Sequence, residues 1–124
     1  MAIQKSPITP PSNLQVVHDT DSDATSESDI GPAGSTLYIL KIDNTANASQ
    51  AVFTKLYNAL APTIGTTAPD MCVRVAGGAT VSLEIPEGIS FATGISFATV
   101  TAGGTGGITN PTSDVIVDLT ISTP

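Results

Sequence analysis

The sequence predicts an all-β protein, an antiparallel β-sandwich or jelly roll of about six to eight strands with an extended N-terminal arm. Three observations support this. Apolar residues recur at every second position in several short stretches. Turn residues interrupt these stretches about every ten residues, as in all-β domains. The 18 Thr, 12 Ser, 11 Gly and 9 Pro among 124 residues leave little room for good helix formers.

The segment at residues 35–43 (STLYILKID) is predicted to be a central strand. Strict alternation places Leu37 and Ile39 on one side and Tyr38, Leu40 and Ile42 on the other, so both faces are apolar. Three further stretches alternate and are predicted as strands: residues 71–75, 80–85 and 114–121. Residues 89–91 and 95–100 are predicted as two additional short strands.

Residues 50–60 (QAVFTKLYNAL) fit two structures. Their apolar residues form one face of a helix that Ser49 could cap, but they also alternate as a strand. The β-branched and aromatic content favours a strand. The short link at residues 76–79 (AGGA) predicts that residues 71–85 form a hairpin. The repeated hexapeptide GISFAT, at 88–93 and 94–99, predicts two strands around Gly94 that each place one Phe in the core.

The charge distribution divides the chain into an acidic N-terminal arm at residues 1–34 and a sandwich domain at 35–124. Residues 1–29 hold five of the eleven acidic residues and three prolines. Such a segment cannot bury enough apolar surface to order itself alone. We therefore expect the arm to lie against its own domain or a neighbouring subunit, with residues 14–17 (LQVV) as its anchoring strand. We expect the sandwich to stay folded without residues 1–30.

Composition excludes several classes of function. Four basic residues and a net charge of −7 argue against nucleic-acid binding. One Cys and one His exclude a disulfide framework and an ordinary zinc site. No apolar run reaches the ~20 residues of a membrane span, and the N-terminus lacks the apolar core of a signal peptide. We expect a soluble protein that is not an enzyme and has no cofactor.

The acidic run contains one candidate metal site. Asp19, Asp21 and Asp23 have the 1, 3, 5 spacing of an EF-hand calcium loop, but Ala24 replaces the required Gly and Ile30 replaces the bidentate Glu. We therefore interpret the run as a solvated acidic linker and expect no metal.

Other reactive motifs also favour a structural interpretation. Cys72 shares a strand face with Arg74, which could lower the pKa of a thiol, but His18 lies far away in sequence. The glycine-rich residues 103–107 lack the Lys of a phosphate-binding loop, so we expect a flexible loop tip. Asn47-Ala48-Ser49 is a glycosylation sequon that we expect to be unmodified.

Four stretches of the chain resemble small virion proteins of tailed bacteriophages. They are LYILKIDNT (37–45), FTKLY (53–57), IGTTAPD (64–70) and IPEGISFATG (85–94). The resemblance covers about residues 35–121 and consists of strand and turn signatures. It implies a β-sandwich capsid decoration (cement) protein, or a small component of a fibre or tail. It also implies a location on the outer capsid surface of the virion, after synthesis in the host cytoplasm.

This class predicts assembly surfaces rather than a catalytic site. The expected partners are the major capsid protein or another shell protein and further copies of the chain, with a homotrimer as the expected oligomer. The alternative is a fibre or tail component, or a carbohydrate-binding receptor module, for which Tyr38 and Tyr57 are the available aromatics. The candidate assembly contacts are Ile3, Ile8, Leu14, Val16, Val17, Leu37 and Ile39.

Overall fold

The computed structural model describes residues 13–124, which form eight β-strands. The predicted contacts Ile3 and Ile8 lie outside the described residues. The strands are β1 (Leu14–Ser22), β2 (Glu27–Gly31), β3 (Ser35–Asp43), β4 (Val52–Asn58), β5 (Met71–Val75), β6 (Thr80–Phe91), β7 (Ile95–Val100) and β8 (Val115–Ser122). Within residues 13–124, no helix is both long and apolar enough to cross a membrane. The predicted all-β class is confirmed.

The strands form two four-stranded antiparallel sheets. Sheet A has the order β1-β8-β3-β6, and sheet B has the order β2-β7-β4-β5. Each strand of the first half of the chain therefore pairs with its counterpart counted from the end: β1 with β8, β2 with β7, β3 with β6 and β4 with β5. This nested pairing brings the two ends of the described chain together at one edge of sheet A.

The core lies between the two sheets and is built from alternating inward residues. Sheet A contributes a stripe along β8 and three residues of β3, and sheet B contributes β4, β5 and β7. The fully buried apolar side chains include Leu37, Leu40, Ile42, Val52, Leu56, Ile95, Phe97, Val117 and Ile121. Only one face of sheet A packs against sheet B, so its other face is exposed. This outer face carries the Thr, Ser and charged residues that alternate with the core positions.

A chain of buried hydroxyl groups crosses this core. Ser22 of β1 hydrogen-bonds Thr99 of β7 at 2.8 Å, and Thr99 in turn hydrogen-bonds Thr54 of β4 at 3.0 Å. Because buried polar groups are costly unless paired, these three residues fix how the end of β1 sits against sheet B.

Residues 14–31, which the sequence places in an N-terminal arm, supply an edge strand to each sheet. β1 pairs with β8 along its length, and β2 pairs with β7. Val17 and Ile30 pack against the core. Within the described part of the chain, the sandwich thus begins at Leu14. The acidic side chains hide this in the sequence, because an edge strand buries only some of its residues and exposes the rest.

Strand β3 contains a β-bulge at Tyr38. Leu37 pairs with Ile121 and Ile39 pairs with Thr120, so Tyr38 is an extra residue opposite β8. The bulge changes the alternation, so Leu37 and Leu40 both point into the core while Ile39 is exposed. The predicted grouping of Leu37 with Ile39 on one face is therefore wrong.

Two further expectations for the strands have opposite outcomes. Residues 52–58 form strand β4, as the β-branched content predicts. The predicted hairpin at residues 71–85 is wrong, because β5 belongs to sheet B and β6 to sheet A. The link at 76–79 crosses between the sheets. The two copies of GISFAT likewise fall in different sheets, and Phe91 and Phe97 are both buried.

Candidate functional site

The outer face of sheet A carries three exposed apolar side chains, those of Leu14, Val16 and Ile39. The antiparallel register arranges its residues in rows across the four strands. One row consists of Val16, Thr120, Ile39 and Glu84, and two of its four side chains, Val16 and Ile39, are apolar. The next row is polar and consists of His18, Asp118, Lys41 and Ser82. The face therefore changes from apolar to charged along the strand direction.

A groove runs along β8 at the apolar end of this face, and we call it the β8 valley. Small side chains of β8 form its floor, while larger ones of β1 and β3 form its walls. Its lining residues are Asn13, Leu14, Tyr38, Ile39, Thr120 and Ser122. Its volume is about 530 Å³, within the ~300–1,000 Å³ typical of ligand pockets. Most of its lining surface is apolar, so it suits an apolar segment better than an ion.

A second, smaller groove continues from the valley toward the edge strand β6. It measures about 230 Å³, and it shares Tyr38 and Ile39 with the β8 valley. Glu84, Ile85 and Pro86 complete it. The two grooves together form one apolar path across sheet A, which ends at a carboxylate.

The bulge explains why Tyr38 stands on this surface. Opposite Tyr38, β6 makes a detour, since its pairing with β3 jumps from Glu84 to Ile89. Gly88 lies in this detour with a φ of +75°, and a Cβ there would lie 2.9 Å from Cε1 of Tyr38 and 2.3 Å from Cγ2 of Thr36. The absent side chain of Gly88 thus lets the backbone pass close to the tyrosine ring and support it.

A side-chain hydrogen bond joins two neighbouring strands within the charged row. His18 Nδ1 and Asp118 Oδ1 are in direct contact, and Lys41 stands on the other side of Asp118 in the register. Asp118 thus faces one basic side chain on each flank. The opposite charges of the row largely balance, which leaves the apolar end as the distinctive feature of the face.

The predicted assembly contacts divide between this face and the interior. Leu14, Val16 and Ile39 lie on the outer face, with 44%, 74% and 38% of their surface exposed. Val17 points inward and packs against the core, and Leu37 is completely buried. Leu37 therefore cannot be a surface contact, because the bulge turns it into the core.

Sequence reasoning missed Tyr38, Thr120 and Ser122 as parts of one groove. The available signal was the run of small outward residues on β8, which makes a low floor beside the larger residues of β3. That signal has meaning only once β3 is known to be the neighbour of β8.

The acidic segment forms a cluster of carboxylates at the open side of the sandwich, between the edge strands β1 and β2. Carboxylate oxygens of Asp19, Asp21 and Glu27 lie within 4.8 Å of one another. Asp23 of the predicted EF-hand spacing is not part of it. The carboxylate of Asp23 accepts a hydrogen bond from the backbone N–H of Thr25 at 2.8 Å. These three groups could offer oxygen ligands to a cation, but calcium sites use six to eight oxygens.

The environment of Asp19 disfavours its negative charge. Burial raises the pKa of Asp19 to about 7, and the hydrogen-bonded side chain of Asp21 and the charge of Glu27 act in the same direction. A hydrogen bond from the backbone N–H of Asp21, at 3.0 Å, opposes this rise only in part. Oδ2 of Asp19 is buried without a hydrogen-bond partner in the described structure.

The remaining candidate groups are not brought together. Cys72 is exposed on β5 and faces Lys55 in the register. His18 lies on β1 in the other sheet, paired with Asp118. The structure thus gives Cys72 no histidine to act as a base, as the sequence separation predicts.

The glycine-rich loop after β7 covers a buried lysine on the outer face of sheet B. Lys55 is fully buried, and its ammonium donates hydrogen bonds to the carbonyl oxygens of Gly104 and Gly107, the latter at 3.4 Å. A phosphate-binding loop presents N–H groups to its ligand, whereas here two glycine carbonyls face a cation. The predicted flexible loop tip thus has two of its carbonyl oxygens bonded to Lys55.

Asn47, the asparagine of the glycosylation sequon, has a structural role in this fold. Asn47 is buried, and its amide group donates to Asn44 Oδ1 and to the carbonyl oxygen of Ser113, both at 2.9 Å. Its Oδ1 accepts from the backbone N–H of Ser113 at 2.8 Å. A glycan on this nitrogen would break the network.

Comparisons with protein-family models, with curated proteins and with solved structures gave no match to this chain.

Proposed function

We propose that the protein is a structural component of a tailed-bacteriophage virion, of the capsid decoration type, which binds the outer shell and associates with further copies of itself. The observation that supports this most directly is the β8 valley on the outer face of sheet A. An apolar groove that opens on a sheet face is typical of a surface that a partner covers. No catalytic role is proposed.

The chemistry of this face fits repeated contacts in a lattice. The core of a protein–protein interface is depleted of charge and surrounded by a polar rim, which matches the uncharged lining of the β8 valley beside the row of His18, Asp118 and Lys41. Many modest contacts of this kind give a high avidity when copies are linked on one particle. The chain therefore needs no single strong binding site.

The topology adds support by analogy. We interpret the nested pairing of the eight strands as a jelly roll, an architecture found in viral capsid and lectin domains. An architecture does not determine a function, so this argument is weaker than the one from the surface. The phage virion class itself is the prediction made from the sequence of residues 35–121.

A second candidate is a fibre or tail component that binds a receptor carbohydrate. The observation in its favour is Tyr38, an aromatic ring that lines both grooves of the outer face. The other tyrosine, Tyr57, is fully buried, which leaves a single aromatic platform. A glycan array with saturable binding that Tyr38→Ala abolishes would support this candidate over the decoration role.

Copy number on purified particles tests the main proposal. We expect quantitative mass spectrometry of virions to give hundreds of copies, in a fixed ratio to the major capsid protein. A handful of copies would favour the tail or fibre instead. Purified protein added to undecorated shells should bind to saturation, and Ile39→Asp should weaken this binding at least tenfold. The matched variant Ser82→Asp, on the same face but outside the valley, should bind normally.

A further inference from the structure

The β8 valley begins where the chain enters the described structure. Asn13 is part of its lining, and the backbone N–H of Thr123 donates to the carbonyl oxygen of Asn13 at 3.0 Å. The side-chain amide of Asn13 donates to the carbonyl oxygen of Thr123. These two bonds fix Asn13 beside the end of β8. Residues 1–12 are therefore joined to the described structure at Asn13, at the mouth of the valley.

The chemistry of residues 1–12 (MAIQKSPITPPS) matches the valley. They include two isoleucines, three prolines and one charged side chain, Lys5. All eleven acidic residues lie in the rest of the chain, and Glu84 stands at the far end of the apolar path. An extended segment of this kind could place Ile8 against Ile39 and Tyr38 and still direct Lys5 toward a carboxylate.

The prolines argue against the valley of the same copy. Thr9 and Pro10 each precede a proline, and a residue before proline favours an extended over a helical backbone. A segment that folds back into its own valley needs a tight reversal within these residues, immediately before Asn13. Ile8 lies five residues before Asn13, and an extended chain of that length reaches about 17 Å. A second copy whose valley lies beside Asn13 is therefore within reach.

We propose that residues 1–12 of one copy lie in the β8 valley of a second copy, so that neighbouring copies are linked by exchanged N-terminal segments. This inference rests on the proposed function only in that it names how the copies associate. Prolines lower the conformational entropy of the free segment, which reduces the cost of ordering it on binding. Each copy offers one segment and one valley, so the same contact can close a ring, including a trimer.

Mixed disulfide formation tests this contact directly. In a Cys72→Ser background, one variant carries Ile8→Cys and a second, mass-tagged variant carries Thr120→Cys. After mixing and mild oxidation, we expect a heterodimer joined through the two new cysteines, identified by mass spectrometry. The control pairs Ile8→Cys with Ser82→Cys, which lies on the same face beyond the valley, and we expect it to crosslink at least tenfold less.

Two results would overturn the proposal. One is equal crosslinking of Ile8→Cys to positions 120 and 82. The other is a disulfide within one chain when Ile8→Cys and Thr120→Cys are combined in a single copy and oxidised at high dilution. Sedimentation of the full chain gives an independent measurement: Ile8→Asp and Ile39→Asp should each weaken self-association at least tenfold, and Ser82→Asp should not.

The test separates this inference from the proposed function because it uses purified protein without particles. Specific crosslinking together with a failure to bind shells would overturn the decoration role and leave the exchanged segment in place. Shell binding without crosslinking would overturn the exchanged segment and leave the decoration role in place.

Discussion

Asn47 shows at the scale of one residue how a loop sequence becomes part of the core. Its side chain joins the β3–β4 loop to the segment before β8, and Asn44 extends the network to the carbonyl oxygens of Gln50 and Ala76, at 2.8 and 3.1 Å. We expect Asn47→Ala to lower the free energy of unfolding by about 2–4 kcal/mol, because it leaves several buried polar groups unpaired. Urea denaturation measures this loss.

The control for this change is Asn110→Ala. Asn110 is exposed and accepts one hydrogen bond, from the backbone N–H of Ala24 at 2.9 Å. We expect a loss of less than about 1 kcal/mol there. Equal effects of the two substitutions would mean that the buried network around Asn47 adds nothing to stability.

Asp19 makes stability depend on pH in the unusual direction for a carboxyl group. Because burial raises its pKa from 3.8 to about 7, the folded protein binds more protons than the unfolded chain between these values. Its contribution to stability is therefore fully present in acid and is lost as the pH rises through 7. We expect Asp19→Asn to raise the Tm at pH 8 by a few degrees and to leave the Tm at pH 4 nearly unchanged.

Thermal unfolding of the unsubstituted protein and of Asp19→Asn, measured from pH 4 to pH 8, tests the direction of this pH dependence. Asp114→Asn is the matched control, since Asp114 is exposed and lies outside the cluster of Asp19, Asp21 and Glu27. A gain at pH 8 that is equal in the two variants would indicate relief of the general negative charge. A gain that is equal at pH 4 and pH 8 would contradict the raised pKa.

At the scale of the element, the bulge at Tyr38 predicts which single-residue deletions strand β3 can tolerate. Without Tyr38, the sequence from Leu37 to Ile42 alternates strictly, with Leu37, Leu40 and Ile42 inward. We therefore expect deletion of Tyr38 to give a folded protein with modestly reduced stability, about 1–3 kcal/mol, and a regular ladder with β8. Deletion of Lys41 should abolish folding, because it moves Ile42 to the outer face.

Circular dichroism and thermal unfolding of the two deletion variants test this pair of outcomes. Equal loss of structure in both would mean that the bulge itself, rather than the inward pattern, defines β3. Tolerance of the Lys41 deletion would mean that the register of β3 is not fixed by its inward residues.

Strand β3 illustrates which features of the fold could be predicted from the sequence and which could not. Alternation identified most of the eight strands, and the β-branched content decided between strand and helix for β4. The bulge was not predictable from the sequence of β3 alone, because it depends on the pairing register between β3 and β8, in which Tyr38 has no partner. The sheet membership of β5 and β6 depends equally on partners that are distant in sequence. The valley could not be foreseen for that reason, although three of the predicted assembly contacts, Leu14, Val16 and Ile39, are exposed apolar residues.

At the scale of the whole molecule, nested pairing makes the N-terminal strands part of one cooperative unit. β1 covers the edge of β8 and β2 covers the edge of β7, while Val17, Ser22 and Ile30 complete the interior. Removal of residues 1–30 would therefore expose the edges of both sheets and leave Thr99 without Ser22. Unprotected edges also favour aggregation.

A truncation series separates this unit from the segment before it. We expect a chain that starts at Asn13 to unfold cooperatively, with a Tm close to that of the full chain, because every described strand is retained. A chain that starts at Gly31 should show no cooperative transition and should aggregate. A folded, monomeric chain from Gly31 onward would show that β1 and β2 are an appended arm, as the acidic composition alone suggests. Loss of folding in the chain from Asn13 would place residues 1–12 within the folding unit rather than at its surface.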